Sequence, residues 1–325
     1  MSDPVLVTGG AGYVGAPLVE ELLESGREVR VLDVLLHGQR EVAERLRELG
    51  ADVRKGDVRA EEARRDALAG ARALVHLAAI VGDPACARDP GLSREVNVDA
   101  ARAIAAEARD AGVRHMVFAS TCSNYGRMSD PTVPIDESGV LAPVSLYAEQ
   151  KVEVERMLLS GDTAPMAGTC LRFATVYGVA PRMRFDLTVN EFTRDLWADR
   201  DLEVFGEQFW RPYVHVRDAA RAVRMVLDAG PERTGGEVFN VGHSDENYRK
   251  LDLVEIITGQ IDRGRVSYVK RNEDPRDYKV AFGKVRESLG FEPRMRVRDG
   301  VREVAGARDA GAFEDPWSPR LRNIP

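Results

Sequence analysis

Lysine is scarce in this 325-residue chain: of 46 cationic side chains six are lysines, Lys55, Lys151, Lys250, Lys270, Lys279 and Lys284, and the other 40 are arginines. GC-rich codon usage produces such a bias, so the count alone assigns no function. A basic block is also missing. With 53 acidic residues the net charge is −7, and the electrostatic footprint of a nucleic-acid binder is absent. Cysteine is rare too: Cys86, Cys122 and Cys170 form no CxxC pair and no metal spacing, which predicts free thiols in a reducing compartment and no metal site. No apolar run approaches the ~20 residues needed to cross a bilayer. The opening MSDPVLVTGG has no basic stretch leading into an apolar one, so no membrane association and a cytoplasmic location are expected. Repeats and low-complexity segments are missing as well. What remains, 44% hydrophobic and 30% charged residues, is an ordinary globular composition at a length that suits one large α/β domain or two modest ones.

Short β-branched runs alternate with amphipathic stretches. Val5–Thr8, Glu28–Leu32, Asp52–Lys55, Ala73–Leu77 and His115–Ser120 read as strands, with helices over Pro17–Glu24, Glu41–Leu49, Glu61–Ala69 and Arg94–Ala111. Strand, helix, strand at this spacing predicts a doubly wound parallel sheet, whose ligands bind at the strand C-termini near the switch in strand order. After a helix at Val144–Leu159 and a strand at Met166–Phe173 the rhythm becomes irregular. We therefore expect a nucleotide-type domain over residues 1–176, to which the chain returns at about 214–242, and a smaller, mostly C-terminal lobe over 177–325.

The first strand runs directly into Thr8-Gly9-Gly10-Ala11-Gly12-Tyr13-Val14-Gly15. Glycines let the backbone turn tightly and approach a pyrophosphate, whose charge the N–H groups and positive end of the following helix stabilise. This G-x-x-G-x-x-G loop is followed by Val29-Arg30-Val31-Leu32-Asp33. An acidic residue at the end of the second strand accepts hydrogen bonds from ribose hydroxyls and repels a 2′-phosphate, so Asp33 argues for NAD over NADP in a Rossmann-like fold. Gly56-Asp57-Val58 and Leu77-Ala78-Ala79 occupy the next strand ends. There Asp57 could bond the adenine amine, and the small Ala78 and Ala79 leave room for the cofactor.

Tyr147-Ala148-Glu149-Gln150-Lys151 places a phenol and an ammonium one helical turn apart on one face. A tyrosine with an unperturbed pKa near 10 is a poor base, and lowering it by about three units takes roughly 4 kcal/mol of preferential phenolate stabilisation, which a lysine and an oxidised nicotinamide can supply. Upstream, the fifth strand ends in the hydroxyl-rich turn Ser120-Thr121-Cys122-Ser123-Asn124-Tyr125-Gly126, which can hold the alcohol or ketone that Tyr147 protonates and deprotonates.

Together these residues resemble the extended short-chain dehydrogenase/reductase superfamily, in its NAD-dependent nucleotide-sugar epimerase/dehydratase branch. The likeness spans nearly the whole chain and includes HLAA at 76–79, YAEQK at 147–151, LRFATVYG at 171–178, WRPYVHVRD at 210–218 and FNVG at 239–242. It implies Thr121, Tyr147 and Lys151 as the catalytic set. NAD would lie along Gly9, Gly12, Tyr13, Val14, Gly15, Asp33, Asp57, Val58, Ala78 and Ala79, with Tyr147 and Lys151. It also implies Arg211, and more weakly Arg276, on the diphosphate of a nucleotide-sugar substrate, where bidentate Arg–phosphate geometry gives a physical reason.

Departures from the branch narrow the chemistry. Its 4,6-dehydratases carry Asp-Glu after the catalytic Thr, where Cys122-Ser123 stands here, and its decarboxylases keep a Glu in the same turn. Thr175 replaces an Asn that many relatives place beside the sugar nucleotide. The expectation is an NAD-dependent nucleotide-sugar epimerase acting at C4 through a transient 4-keto intermediate, with a 4-ketoreductase as the alternative. A dehydratase, a decarboxylase or a non-catalytic NAD-binding protein ranks lower. Asp83 and Cys86 could face the sugar or simply form a turn, and Cys122 reads as a packed thiol. His76, His115 and His215 read as core or strand-end imidazoles, and Phe205, Phe209, Trp210 and Tyr213 as either a base-stacking set or lobe core. Relatives pair the helices corresponding to Arg94–Ala111 and Val144–Leu159 in a homodimer.

Overall fold

The computed structural model describes residues 4–128, 130, 133–270 and 276–323. The chain opens with β1 (Val5–Thr8), α1 (Gly15–Glu24), β2 (Val29–Asp33), α2 (Arg40–Glu48), β3 (Asp52–Lys55), α3 (Glu61–Leu68) and β4 (Ala73–His76). Then come α4 (Asp83–Arg88), α5 (Pro90–Arg94), a wider π-helical turn Glu95–Asp99, α6 (Ala100–Asp110), β5 (His115–Thr121), α7 (Leu146–Leu159) and β6 (Ala167–Phe173). The single helix expected over Arg94–Ala111 is thus interrupted. A π-helical turn admits one extra residue, and here it turns Asn97 inward, where the side chain is 3% exposed and its amide donates to the Ile80 carbonyl.

A seven-stranded sheet has the order β10-β6-β5-β4-β1-β2-β3, where β10 is Val238–Val241. The pairs β1–β2, β1–β4, β2–β3 and β4–β5 are parallel. Every residue of β1 is buried, as expected of a parallel strand covered on both faces. The chain adds β2 and β3 on one side of β1 and then β4, β5 and β6 on the other. The ends of β1 and β4 therefore border the crevice where such sheets bind ligands. Beneath lies an apolar core including Leu6, Leu74, Ile104, Phe118 and Leu158.

Two compact units divide the chain differently from the expected domains. One holds residues 1–121, 145–172 and 220–239; the other holds 122–144, 173–219 and 240–325. Residues 122–144 join the second unit because their backbone bonds to it: Ile135 N donates to Lys279 O, and Met128 N to Asp277 O. That unit contains a three-stranded sheet, β11-β9-β7, built from Asn247–Arg249, Trp210–His215 and Thr175–Tyr177, and a two-stranded one, β12-β8, from Val266–Tyr268 and Leu202–Val204. Phe192, Leu196, Leu253 and Val301 contribute to its core. Helix thus occupies part of the stretch that reads as irregular, at Thr188–Trp197.

The three strand histidines each have a partner. His115 faces the Thr169 hydroxyl at 2.8 Å, and His215 the Glu303 carboxylate at 2.8 Å. His76 faces the Thr8 hydroxyl at 2.8 Å and stacks on Phe118. Burial, assisted by the Lys151 charge, pushes the His76 pKa down to about 3 from 6.5. Below pH 6.5 the unfolded chain then binds a proton that the folded chain refuses. The stability His76 allows is complete above pH 6.5 and falls as pH drops toward 3, by roughly 5 kcal/mol in all. Urea unfolding measured from pH 7 to 4 should show this decline, and His76→Asn should flatten it; an unchanged slope in the variant would contradict the assignment.

Candidate functional site

The glycine loop lies at the carboxyl end of β1. Gly9 has φ +71, and a Cβ there would sit 2.8 Å from the Ala78 backbone nitrogen. At Gly15 a Cβ would strike the Gly9 carbonyl. These two glycines bring the loop against the end of β4 and start α1 immediately. No side chain caps the amino end of α1 and its first turn carries no acid, so its N–H groups and positive dipole end face the loop. Gly12 and Val14 are half-buried there, and Tyr13 is 6% exposed. Asp33, 5% exposed, accepts from Ala11 N at 3.0 Å with one oxygen and from Leu35 N at 2.8 Å with the other. Its carboxylate thereby joins the glycine loop to the end of β2.

Val58 is buried, and Ala78 and Ala79 are half-buried. The Asp57 carboxylate accepts from Arg59 at 2.7 Å, and that contact holds its pKa below the usual carboxylate value. Ala78 N donates to the Thr8 hydroxyl at 3.3 Å, a second tie between β1 and β4.

Thr121 is the last residue of β5, and Tyr147 and Lys151 sit one turn apart on α7. Ser145 sets the start of α7, its hydroxyl accepting from Ala148 N at 3.4 Å. Lys151 is 4% exposed; its ammonium donates to the Ala119 carbonyl at 2.7 Å and lies 4.6 Å from the Phe118 ring centre and 5.8 Å from that of Tyr147. Burial pushes its pKa down to about 8, against the opposing pull of Cys86, Glu155 and Cys170. Tyr147 and Thr121 are both half-buried. The Lys151 ammonium thus lies near the Tyr147 ring and holds the strand two residues before Thr121.

Two polar clusters in this unit escape a reading of local spacing. In one, the Gln150 carbonyl accepts from Ser93 at 2.7 Å and from Asn97 at 2.8 Å, while Ile80 N donates to Asn97 at 2.8 Å. In the other, Arg172 grips Glu155 and Ser120 donates to the same carboxylate. An amide in a helix pattern and a glutamate one turn after Lys151 were the available signals. Cys86, fully buried, donates to the Ile80 carbonyl, and Asp83 begins α4.

The remaining candidates belong to the second unit. Thr175 opens β7 and pairs with Tyr213 of β9. Arg211, on β9, donates to the Trp210 carbonyl at 2.6 Å and lies 5.1 Å from the Tyr278 ring centre; the charges of Arg211 and Arg276 both act on the Tyr278 phenol. Arg211 thus lies at a buried aromatic ring whose phenol also feels the Arg276 charge. Asp274 and Pro275, beside Arg276, lie outside the described residues. Cys122 is buried, and Ser123 lies 3.3 Å from the Tyr278 hydroxyl. Phe209 and Tyr213 are buried, while Trp210 lies under Lys279 at 3.6 Å and Phe205 under Lys250 at 4.2 Å.

Residues 5–242 match the NAD dependent epimerase/dehydratase family. A UDP-glucose 4-epimerase of Lactobacillus helveticus is 29% identical over 321 residues, covering 91% of this chain and 94% of that protein. A UDP-glucose 4-epimerase of Thermotoga maritima, solved with UDP-glucose, superposes with a TM-score of 0.85 at 26% identity over 95% of this chain and all of that one. A dTDP-glucose 4,6-dehydratase of Streptomyces venezuelae, solved with NAD bound, gives 0.85 at 26% identity over 98% of this chain and all of that one.

The bare glycine backbone, the uncapped amino end of α1 and the buried Asp33 suit a dinucleotide such as NAD. Gly26 separates the two demands on Gly9, because its φ is +81 yet a Cβ there meets nothing within 4 Å. Gly26→Ala should cost about 1 kcal/mol, whereas Gly9→Ala should cost a further 1–3 kcal/mol for the clash and abolish NAD binding. Thermal unfolding with and without NAD checks both, and equal losses would contradict the close approach at Ala78.

Proposed function

The chain belongs to the NAD-dependent epimerase/dehydratase family, and from that premise we propose that it inverts C4 of a nucleotide sugar through a transient 4-keto form. The observation that carries this reading is the buried Lys151 ammonium, held at Ala119 two residues before Thr121 and 5.8 Å from the Tyr147 ring. Bound NAD supplies a hydride acceptor and, once reduced, a hydride donor. The chain supplies the proton chemistry. Tyr147, as phenolate, takes the proton from the C4 hydroxyl and later returns it. Lys151 stabilises the phenolate, and the Thr121 hydroxyl holds the sugar oxygen.

Holding the ligands falls to the other candidates. Gly9, Gly12, Tyr13, Val14 and Gly15 would cradle the pyrophosphate of NAD, and Asp33 would accept from its adenosine ribose, which favours NAD over the 2′-phosphorylated cofactor. Asp57, Val58, Ala78 and Ala79 would line its course along the strand ends. On the substrate side, Arg211 and Arg276 would pair with the diphosphate and Thr175 would face the sugar nucleotide. Cys122 and Ser123 offer no carboxyl acid and base for removing water, which separates this reading from dehydration.

A homodimer and a cytoplasmic location complete the proposal. Among the described residues no helix is long and apolar enough to cross a membrane, and light scattering on the purified protein reads the oligomeric state.

Incubation with a panel of sugar nucleotides, followed by mass spectrometry and NMR, tests the reaction. Unchanged mass with inverted C4 is expected. Two added hydrogens in the presence of reduced cofactor would make the protein a ketoreductase, and loss of water or carbon dioxide would overturn the reading. Tyr147→Phe should lower kcat by about 10²- to 10⁴-fold without abolishing NAD binding.

A further inference from the structure

Tyr147, Lys151 and Glu155 follow one another at four-residue intervals on α7 and so share a face. Glu155 is 1% exposed. Its carboxylate receives the Arg172 guanidinium of β6 through both Nε, at 3.0 and 3.2 Å, and Nη2, at 2.8 Å, and also accepts from the Ser120 hydroxyl of β5. The Arg172 and Glu155 side chains are 5% and 2% exposed. Two consecutive residues of β5 thus hold α7: Ala119 through Lys151, and Ser120 through Glu155. Thr121 follows directly.

A buried ion pair is a poor source of stability, since desolvating both charges offsets most of their attraction; its best-supported use is to specify one geometry. We propose that Glu155 is a positioning residue that, with Ser120 and Arg172, clamps α7 to β5 and β6 and so presents Tyr147 and Lys151 to Thr121 in a fixed arrangement. This rests on the proton-transfer role given above to those three residues. The clamp acts through Lys151 and touches no substrate.

The groups facing Lys151 set the sign of the test. They are Tyr147 and Glu155 on its own helix, His76 on β4, Cys86 on α4 and Cys170 on β6, with Arg172 beside Glu155. The carboxylate favours the charged ammonium. Glu155→Gln removes that support and leaves Arg172 cationic, so Lys151 loses its proton at lower pH.

The experiment compares kcat and KM against pH for the native protein, Glu155→Gln, Ser120→Ala and Glu107→Gln. The last breaks the Arg64–Glu107 pair, at 2.6 Å and mostly buried but outside the site, and so controls for simple loss of an ion pair. Glu155→Gln should lower kcat by about tenfold or more with KM nearly constant, and move the alkaline limb down by about one pH unit. Ser120→Ala should move both in the same direction by less, and Glu107→Gln should move neither.

A folded Glu155→Gln protein with the native kcat and limb would overturn the proposal. So would the same shift in Glu107→Gln. If Glu155→Gln does not fold, Ser120→Ala decides by the same criteria. Failure of the native protein on every sugar nucleotide would instead refute the functional reading. The clamp is then read from the tyrosinate absorbance that Tyr147→Phe removes. Its midpoint should move by about half a unit or more in Glu155→Gln, and an unmoved midpoint overturns the clamp.

Discussion

The hydrogen bond from the Lys151 ammonium to the Ala119 carbonyl, at 2.7 Å, joins α7, which carries Tyr147, to β5, which ends at Thr121. An ammonium taken out of water is costly unless something replaces its hydration. Here a backbone carbonyl does so, together with the Phe118 ring face at 4.6 Å, a favourable cation–π arrangement. The remaining cost appears as the downward shift of its pKa to about 8. Lysine can occupy this place because its compact charge fits a single carbonyl and can shed a proton. An arginine would bring a planar fork with several more donors to satisfy.

The cofactor side of the site depends on absence of side chains rather than on their presence. Gly9 and Gly15 allow the loop to fold against Ala78 and against itself, and α1 starts directly after it with no side-chain cap hydrogen bond at its amino end. Asp33 spends both carboxylate oxygens on backbone N–H groups of the loop and the next turn. It therefore shapes the loop itself. One carboxylate thus links the glycine loop to the end of β2.

Much of this was legible in the sequence wherever function requires fixed local spacing. The glycine loop, the acid ending β2 and the four-residue interval from Tyr147 to Lys151 are of that kind, and the strands from Val5 to Ser120 followed from period and β-branching. The Glu155–Arg172–Ser120 cluster was not legible, because its members come from three elements and each alone reads as an ordinary helix or strand residue. Asn97 escaped for another reason: a π-helical turn rotates it inward, and no propensity scale encodes one extra residue in a turn. The allocation of residues 122–144 to the second unit likewise depends on backbone bonds to residues near 280. The scarcity of lysine already singled out Lys151 in the sequence, where it stands alone between residues 56 and 249, and the structure adds that it is buried near the Tyr147 ring.

The most direct test is Lys151→Arg, which keeps the positive charge and changes its shape and acidity. The variant should fold, retain NAD binding and lose turnover by about 10²-fold or more, measured as kcat on the sugar nucleotide that the native protein epimerises. A Lys151→Arg protein that turns over at close to the native rate would contradict the claim that a buried lysine at Ala119 is what makes Tyr147 a base.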